Sequence, residues 1–190
     1  MMGSTDRPRL GITGSAGTGK TTLAGRLAQT LELPLLPEAM RAMLEAGFDL
    51  HSLTRAEHRS LLRGHADALA RDLARTDGGL VSDRTPLDFV AFWLSNGYGV
   101  EDPDGTEALL VRAVAAMAEY SLVIVLPWGR PIPADGVRSA NPWHQLHFQA
   151  IMEGLCRRWI PADRLLILPD GDAAGPEERC GMLLERVGRG

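Results

Sequence analysis

The sequence predicts an α/β fold, with five short strands in a parallel sheet and helices on both faces. Three observations lead there. Short apolar runs recur between longer stretches with helical spacing. The strongest run, Leu122-Val-Ile-Val-Leu126, is apolar at every position, the pattern of a strand buried on both faces. Between the first apolar run and the first helical pattern, Gly14 to Thr21 satisfies G-x-x-x-x-G-K-[ST] at every fixed position, in the strand, loop, helix context that motif requires.

Taken in order, the first strand is read at about Arg9 to Thr13, behind a polar tail (residues 1–8) expected to be disordered. A helix follows from Lys20 to about Thr30. Leu33 to Leu36, closed by Pro37, reads as the second strand, with Glu38 at its end. Ala39 to Glu45 is a short helix stopped by Gly47. Thr54-Arg-Ala-Glu57 is a capping box that opens a long helix carrying Leu61, Leu62, Ala66, Leu69 and Leu73. Leu80-Val-Ser82 is the third strand and delivers Asp83-Arg84; Thr85, Pro86 and Asp88 then have N-cap, first-turn proline and first-turn acid character. Asn96 to Gly105, rich in Gly and acid, reads as a loop before a helix at about Thr106 to Glu119. After the fourth strand, Pro127 to Pro142 contains four prolines and reads as a long irregular loop, with a lid expected at about 128–145. A helix from Trp143 to Trp159, a fifth strand at Leu165 to Leu168 and a last helix from Pro176 to about Val187 complete one domain spanning 1–190.

At 190 residues, 45% apolar and 23% charged, the chain is long enough for one sizeable core. The net charge of −4, with basic residues scattered, argues against a nucleic-acid surface. No apolar run approaches the roughly 20 residues of a membrane span. Cys156 and Cys180 lie at no metal or redox spacing, so free thiols and a cytoplasmic setting are expected.

The phosphate loop has a direct physical reading. Gly14, Gly17 and Gly19 let Ser15, Ala16, Thr18 and their neighbours turn successive N–H groups into one concavity, and the helix that begins at Lys20, Thr21 and Thr22 adds the positive end of its dipole. Lys20 is positioned for the β- and γ-phosphates of ATP and Thr21 for Mg²⁺. Lys20 is also the only lysine among 20 Lys plus Arg residues; an ammonium on a slim stem is kept where a planar guanidinium would not fit. The other unusual polar residues, Glu38, Asp83-Arg84 and Arg138, also follow predicted strands, and ligands of parallel α/β sheets bind at those ends.

On Gly14 to Thr21, Pro37-Glu38-Ala-Met-Arg41, Asp83-Arg84-Thr-Pro-Leu-Asp88 and Asp135-Gly-Val-Arg138, with Glu177-Glu178-Arg179 as a weaker match, the chain resembles the P-loop nucleoside and nucleotide kinases. Within them it resembles the AAA-type group that includes the ribosylnicotinamide kinase domain of bifunctional regulators of NAD biosynthesis. The resemblance implies a three-layer P-loop sandwich with strand order 2-3-1-4-5 and transfer of the γ-phosphoryl group of ATP, with Mg²⁺, to a hydroxyl or phosphate of a nucleoside-like acceptor. Relatives of this size are often dimers, so a homodimer is compatible with it.

Phosphoryl transfer needs charge neutralisation and a base or orienter for the attacking oxygen. Glu38 is the first candidate for the base, against the plain alternative of a first-turn helix acid. Asp83 suits Mg²⁺ or a share of the base role. Arg84 and Arg41 suit substrate orientation or charge neutralisation, against structural ion pairs. Arg138 resembles a lid arginine, Arg179 falls in the weaker nucleotide-side match, and Trp128 is the aromatic least easily explained as core. Asp88 reads by default as a first-turn acid, and Phe89 and Trp93 as core. His51, His58 and His65, spaced by seven, and the pair His144 and His147 read as helix-face or core histidines, without zinc. A regulatory GTPase would need an Asn-Lys-x-Asp reader, which a chain with one lysine in its phosphate loop lacks. A mechanical ATPase would want a strand ending in Asp-Glu. The alternative that stands is an ATP-binding switch that phosphorylates no acceptor.

Overall fold

The structure, a computed structural model, describes residues 7–129, 141–169 and 175–187. The strands are β1 (Arg9–Thr13), β2 (Leu35–Leu36), β3 (Leu80–Asp83), β4 (Leu122–Val125) and β5 (Leu165–Ile167). All pair in parallel, in the order β2-β3-β1-β4-β5. The described helices are α1 (Lys20–Leu31), α2 (Ala39–Glu45), α3 (Arg55–Arg75), α4 (Pro86–Ser95), α5 (Tyr98–Glu101), α6 (Pro103–Ala116), α7 (Pro142–Trp159) and α8 (Pro176–Val187).

Alternate residues of the central strands face two separate cores. Leu10 and Ile12 of β1 and Ile124 of β4 pack with Leu23 and Leu27 of α1 and Leu183 of α8. Val123 and Val125 face the larger core, where Leu62 of α3, Trp93 of α4, Leu109 of α6 and Met152 of α7 meet. Each fully buried Leu or Ile contributes about 1.5–3 kcal/mol on removal from water, so both faces of β1 and β4 are strongly specified. Their register sets the site. Ile12 lies beside Asp83 and Thr13 beside Val125, so three central strands end level with one another. Backbone bonds extend that alignment past the strands: Arg84 N donates to Ile12 O at 2.9 Å and Leu126 N to Thr13 O at 2.9 Å.

Four boundaries differ from the sequence reading. Residues 7 and 8 are attached rather than part of a free tail, since Pro8 O accepts from Leu80 N at 3.1 Å. β2 pairs only over Leu35–Leu36, because prolines at 34 and 37 have no N–H to give the ladder, although Pro34 O still accepts from Val81 N at 3.0 Å. The expected loop from Asn96 to Gly105 is largely helical: Gly97 turns at φ 81°, α5 follows, and Asp102 caps α6 by accepting from Gly105 N at 2.9 Å, with Pro103 at its first position. Residues 142–145 belong to α7 rather than to a lid, with Asn141 Oδ1 accepting from Trp143 N at 3.0 Å. The predicted capping box is present, Thr54 N donating to Glu57 Oε2 at 2.8 Å and Glu57 N to Thr54 Oγ1 at 3.3 Å. Among the described residues no helix is long and apolar enough to cross a membrane.

Candidate active site

The loop between β1 and α1 is shaped by two glycines that no other residue would replace. Gly14 has φ +132°, and a Cβ there would sit 2.8 Å from Leu126 O. Gly19 is the N-cap of α1 at φ +92°. Between them Gly17, at φ 77°, forms part of the cleft wall, next to Ala16. Inside the loop, Thr18 Oγ1 donates to Ser15 O at 3.0 Å and Lys20 Nζ to the same carbonyl at 2.6 Å. Arg179 of α8 is buried against the loop and donates to Thr18 O at 3.1 Å. The amide of Gln149, on α7, accepts from Ser15 N at 2.9 Å.

Lys20 is 5% exposed and, among the described residues, forms no ion pair. Burial, then the nearby charge of Arg84, lowers its pKa to about 8. Thr21 Oγ1 donates to Asp83 Oδ2 at 2.6 Å. The other carboxylate oxygen, Asp83 Oδ1, is buried and has no hydrogen-bond partner among the described residues, and burial raises the pKa of this acid against the opposing bond from Thr21. A hydroxyl beside a carboxylate with one orphaned oxygen is a hard-oxygen donor pair, which fits Mg²⁺, an ion that takes few protein ligands and completes its shell with water and phosphate.

Next to this pair stands a second cluster. Arg84 Nε donates to Glu38 Oε1 at 2.5 Å and its Nη1 to Asp88 Oδ1 at 2.9 Å. The guanidinium carbon lies 4.9 Å over the Phe92 ring. Burial works against the charge of Arg84, yet Glu38 and Asp88 outweigh it and raise its pKa. Its backbone has φ 91°, rare for a residue other than glycine. Three anchors hold it there: its N–H on Ile12, its carbonyl accepting from Ser82 Oγ at 2.8 Å, and that hydroxyl 2.7 Å from Tyr120 OH.

The phosphate loop, through Ala16, Gly17 and Gly19, lines one cleft of about 240 Å³ together with Glu38, Arg41 and Arg84. Clefts of about 450 Å³ beside β5 and 370 Å³ beside the start of α3 are larger but share no lining residue with it. The structure thus brings the phosphate loop together with Lys20, Thr21, Thr22, Glu38, Arg41, Asp83 and Arg84. Arg41 touches Thr21 Oγ1 at 3.4 Å while pairing with Glu45 at 2.7 Å. Trp128, expected at the substrate, does not line the cleft; it is half-buried, with Nε1 enclosed and, among the described residues, unpartnered. Arg138 lies outside the described residues, as do Arg130 and Asp135.

Asp88 is the first-turn acid of α4 that the sequence suggests, and it does more. It is fully buried, accepts from Thr85 N and Oγ1 at 2.8 and 2.9 Å, and neutralises Arg84. Phe89 and Trp93 are core as expected. His58 Nδ1 lies 2.9 Å from Tyr98 OH and His65 stacks on Phe89. Sequence reasoning passed over Gln149 altogether. Its signal was a polar residue three positions before Met152 on the stripe of α7 that packs inward.

The family model described as AAA domain matches residues 9–174. Among solved structures, the NadR protein in complex with NAD and AMP-PNP superposes at a TM-score of 0.66 and 21% identity, over 96% of this chain and 50% of that one. The chain therefore spans about half the length of NadR. Deoxyadenosine kinase from M. mycoides with products dCMP and dCDP bound superposes at 0.67 and 13% identity, over 95% of this chain and 98% of that one. Shikimate kinase from Acinetobacter baumannii in complex with shikimate does so at 0.58 and 14% identity, over 96% and 94%. At these identities the likeness is one of fold, that of the P-loop kinases. No curated protein matches the sequence.

Proposed function

Since the chain belongs to the AAA domain family, we propose that it is an ATP-dependent kinase that transfers the γ-phosphoryl group to a hydroxyl of a nucleoside-like small molecule. The observation that carries this reading is the meeting, in one cleft, of a phosphate loop with its lysine, a Thr21–Asp83 donor pair and an acceptor-side acid, Glu38. A protein that only bound ATP would have no use for the last of these. The superposed structures whose descriptions name small-molecule kinases support it.

In this reading the loop N–H groups and Lys20 hold the β- and γ-phosphates, and Lys20 leaves Ser15 O to do so. Thr21 and Asp83 would hold Mg²⁺, which when bound neutralises charge on the phosphates. Glu38 takes the proton of the acceptor hydroxyl as its oxygen bonds to the γ-phosphorus and the bond to the β-phosphate oxygen breaks, releasing ADP. Glu38 is preferred to Asp83 as the base because Asp83, bonded to Thr21, is assigned with it to Mg²⁺. Arg84 fixes the Glu38 carboxylate from behind. Arg41 at the cleft rim and Arg138 beyond the described residues are assigned to the acceptor and to the transferring group, and Arg179 to support of the nucleotide loop.

The test is ADP release with ATP and Mg²⁺ against a panel of nucleosides, nucleotides and ring alcohols, with Lys20→Ala as control. ADP that depends on an acceptor, vanishes in the control and drops by about 10²–10⁴ in Glu38→Gln is the expected result. Tight ATP binding with no acceptor-stimulated release across the panel replaces the kinase with an ATP-binding switch.

A further inference from the structure

Gln149 is 3% exposed in the middle of α7, between Phe148 and Met152, both buried in the larger core. A buried amide keeps its place only if its donors and acceptor are all met. Here they are met by groups from three parts of the chain. Oε1 accepts from Ser15 N, in the phosphate loop, at 2.9 Å. Nε2 donates to Leu126 O, just past β4, at 3.0 Å and to Glu153 Oε1, one turn along α7, at 2.9 Å. The chemistry fixes the orientation of the amide: an N–H faces one end and two acceptors face the other. Leu126 O is also the atom that excludes any side chain at Gly14. Lys20 rests on the carbonyl of the same Ser15 whose N–H the amide holds. The entry of the phosphate loop is therefore pinned by one side chain of α7.

We propose that Gln149 is a positioning residue that holds the phosphate loop in its phosphate-binding shape before any ligand arrives, by tying Ser15 to the end of β4 and to Glu153. The inference rests on the phosphate-binding reading of Gly14 to Thr21, and on no particular acceptor. A loop released from this tie spends part of its time in shapes that do not bind, and affinity for phosphate falls by the fraction lost.

Isothermal titration of the full chain with inorganic tripolyphosphate, which has no base or sugar, reads this directly. Gln149→Met keeps the volume and removes all three bonds; we expect binding roughly tenfold weaker than wild type, the effect of leaving a buried N–H unmet. Met152→Ala, one turn along the same helix, disturbs core packing without touching the loop; it should melt earlier yet bind within about twofold of wild type. Gln149→Glu supplies a second route should Gln149→Met fail to fold. Protonated, a carboxylic acid accepts from Ser15 N and donates to one acceptor; ionised, it faces Leu126 O and the Glu153 carboxylate. Affinity relative to wild type, taken at each pH so that titration of Lys20 and of the ligand cancels, should be within about threefold at pH 5.5 and at least tenfold weaker at pH 8. Gln149→Met binding within twofold of wild type, Met152→Ala losing as much affinity as Gln149→Met, or a flat ratio for Gln149→Glu each overturn the proposal. Wild type that binds no tripolyphosphate overturns the phosphate-loop reading on which it stands.

Discussion

Two buried cations of this protein, Lys20 at the start of α1 and Arg84 just after β3, are held in opposite ways. Lys20 is 5% exposed and Arg84 6%. Arg84 has two resident carboxylates, Glu38 and Asp88, which outweigh burial and hold its charge firmly. Lys20 has a backbone carbonyl and, among the described residues, no ion pair; burial and the repulsion of Arg84 bring its pKa down to about 8. A buried cation that carries its own anions is part of the framework. In the function proposed above, one left short of an anion at a helix N-terminus is a place for a ligand's anion, and the fold bears the cost of keeping it there.

The comparison breaks most visibly at Asp88. Asp88→Ala removes a carboxylate with no solvent exposure, strips Arg84 of one partner and undoes the cap of α4; a loss of about 3–5 kcal/mol in denaturant unfolding is expected. A loss below about 1 kcal/mol would mean that water reaches the cluster. Lys20→Met should do the reverse. Turnover, or affinity for a non-hydrolysable ATP analogue, should fall by about 10²–10³, the range for removing one preorganised charge donor, with unfolding stability unchanged or improved at neutral pH.

Proton linkage sharpens the contrast further. The folded pKa of Lys20, about 8, lies below its ordinary 10.5, so between those values the unfolded chain holds a proton the folded chain has shed. Relative to Lys20→Met, the ligand-free wild type should therefore gain stability as pH rises from about 8 to 10.5, and carry the full penalty below 8. Bringing phosphate to Lys20 restores the proton. Titration with the ATP analogue at pH 8 in buffers of different ionisation heat should show uptake of about half a proton, absent in Lys20→Met and near zero at pH 6.5. Uptake that persists in Lys20→Met would assign the proton to another group. The smallest effect is expected at Arg41, whose pair with Glu45 is 37% and 57% exposed. Arg41→Ala should change stability by no more than about 0.5 kcal/mol, so that any larger loss in turnover reports on its contact with the acceptor.

Much of this was legible in the chain itself. Helix α8 begins where its spacing placed it, and the Thr54 capping box formed because its partners lie three residues apart and need no distant contact. Composition is a weaker guide than local chemistry: Gly and acid between Asn96 and Gly105 suggest a loop, while Asp102-Pro103 carries the cap and first-turn proline of a helix.

The amino-acid sequence by itself determined the alternation of strand and helix, the phosphate loop and the acids and arginines placed after its strands. Those properties reside in neighbouring residues: periodicity, capping and the positive φ that Gly14, Gly17 and Gly19 supply. Which of those polar residues would be framework and which would be site was decided only by the tertiary structure. Glu38 and Arg84 are 46 residues apart, Ser15 and Gln149 are 134 apart, and in each case the meeting depends on strand register and on which face of the sheet a helix covers. Burial then sets the outcome, because a charge removed from water is strongly held or strongly perturbed according to what happens to lie beside it, and no local pattern records that neighbour.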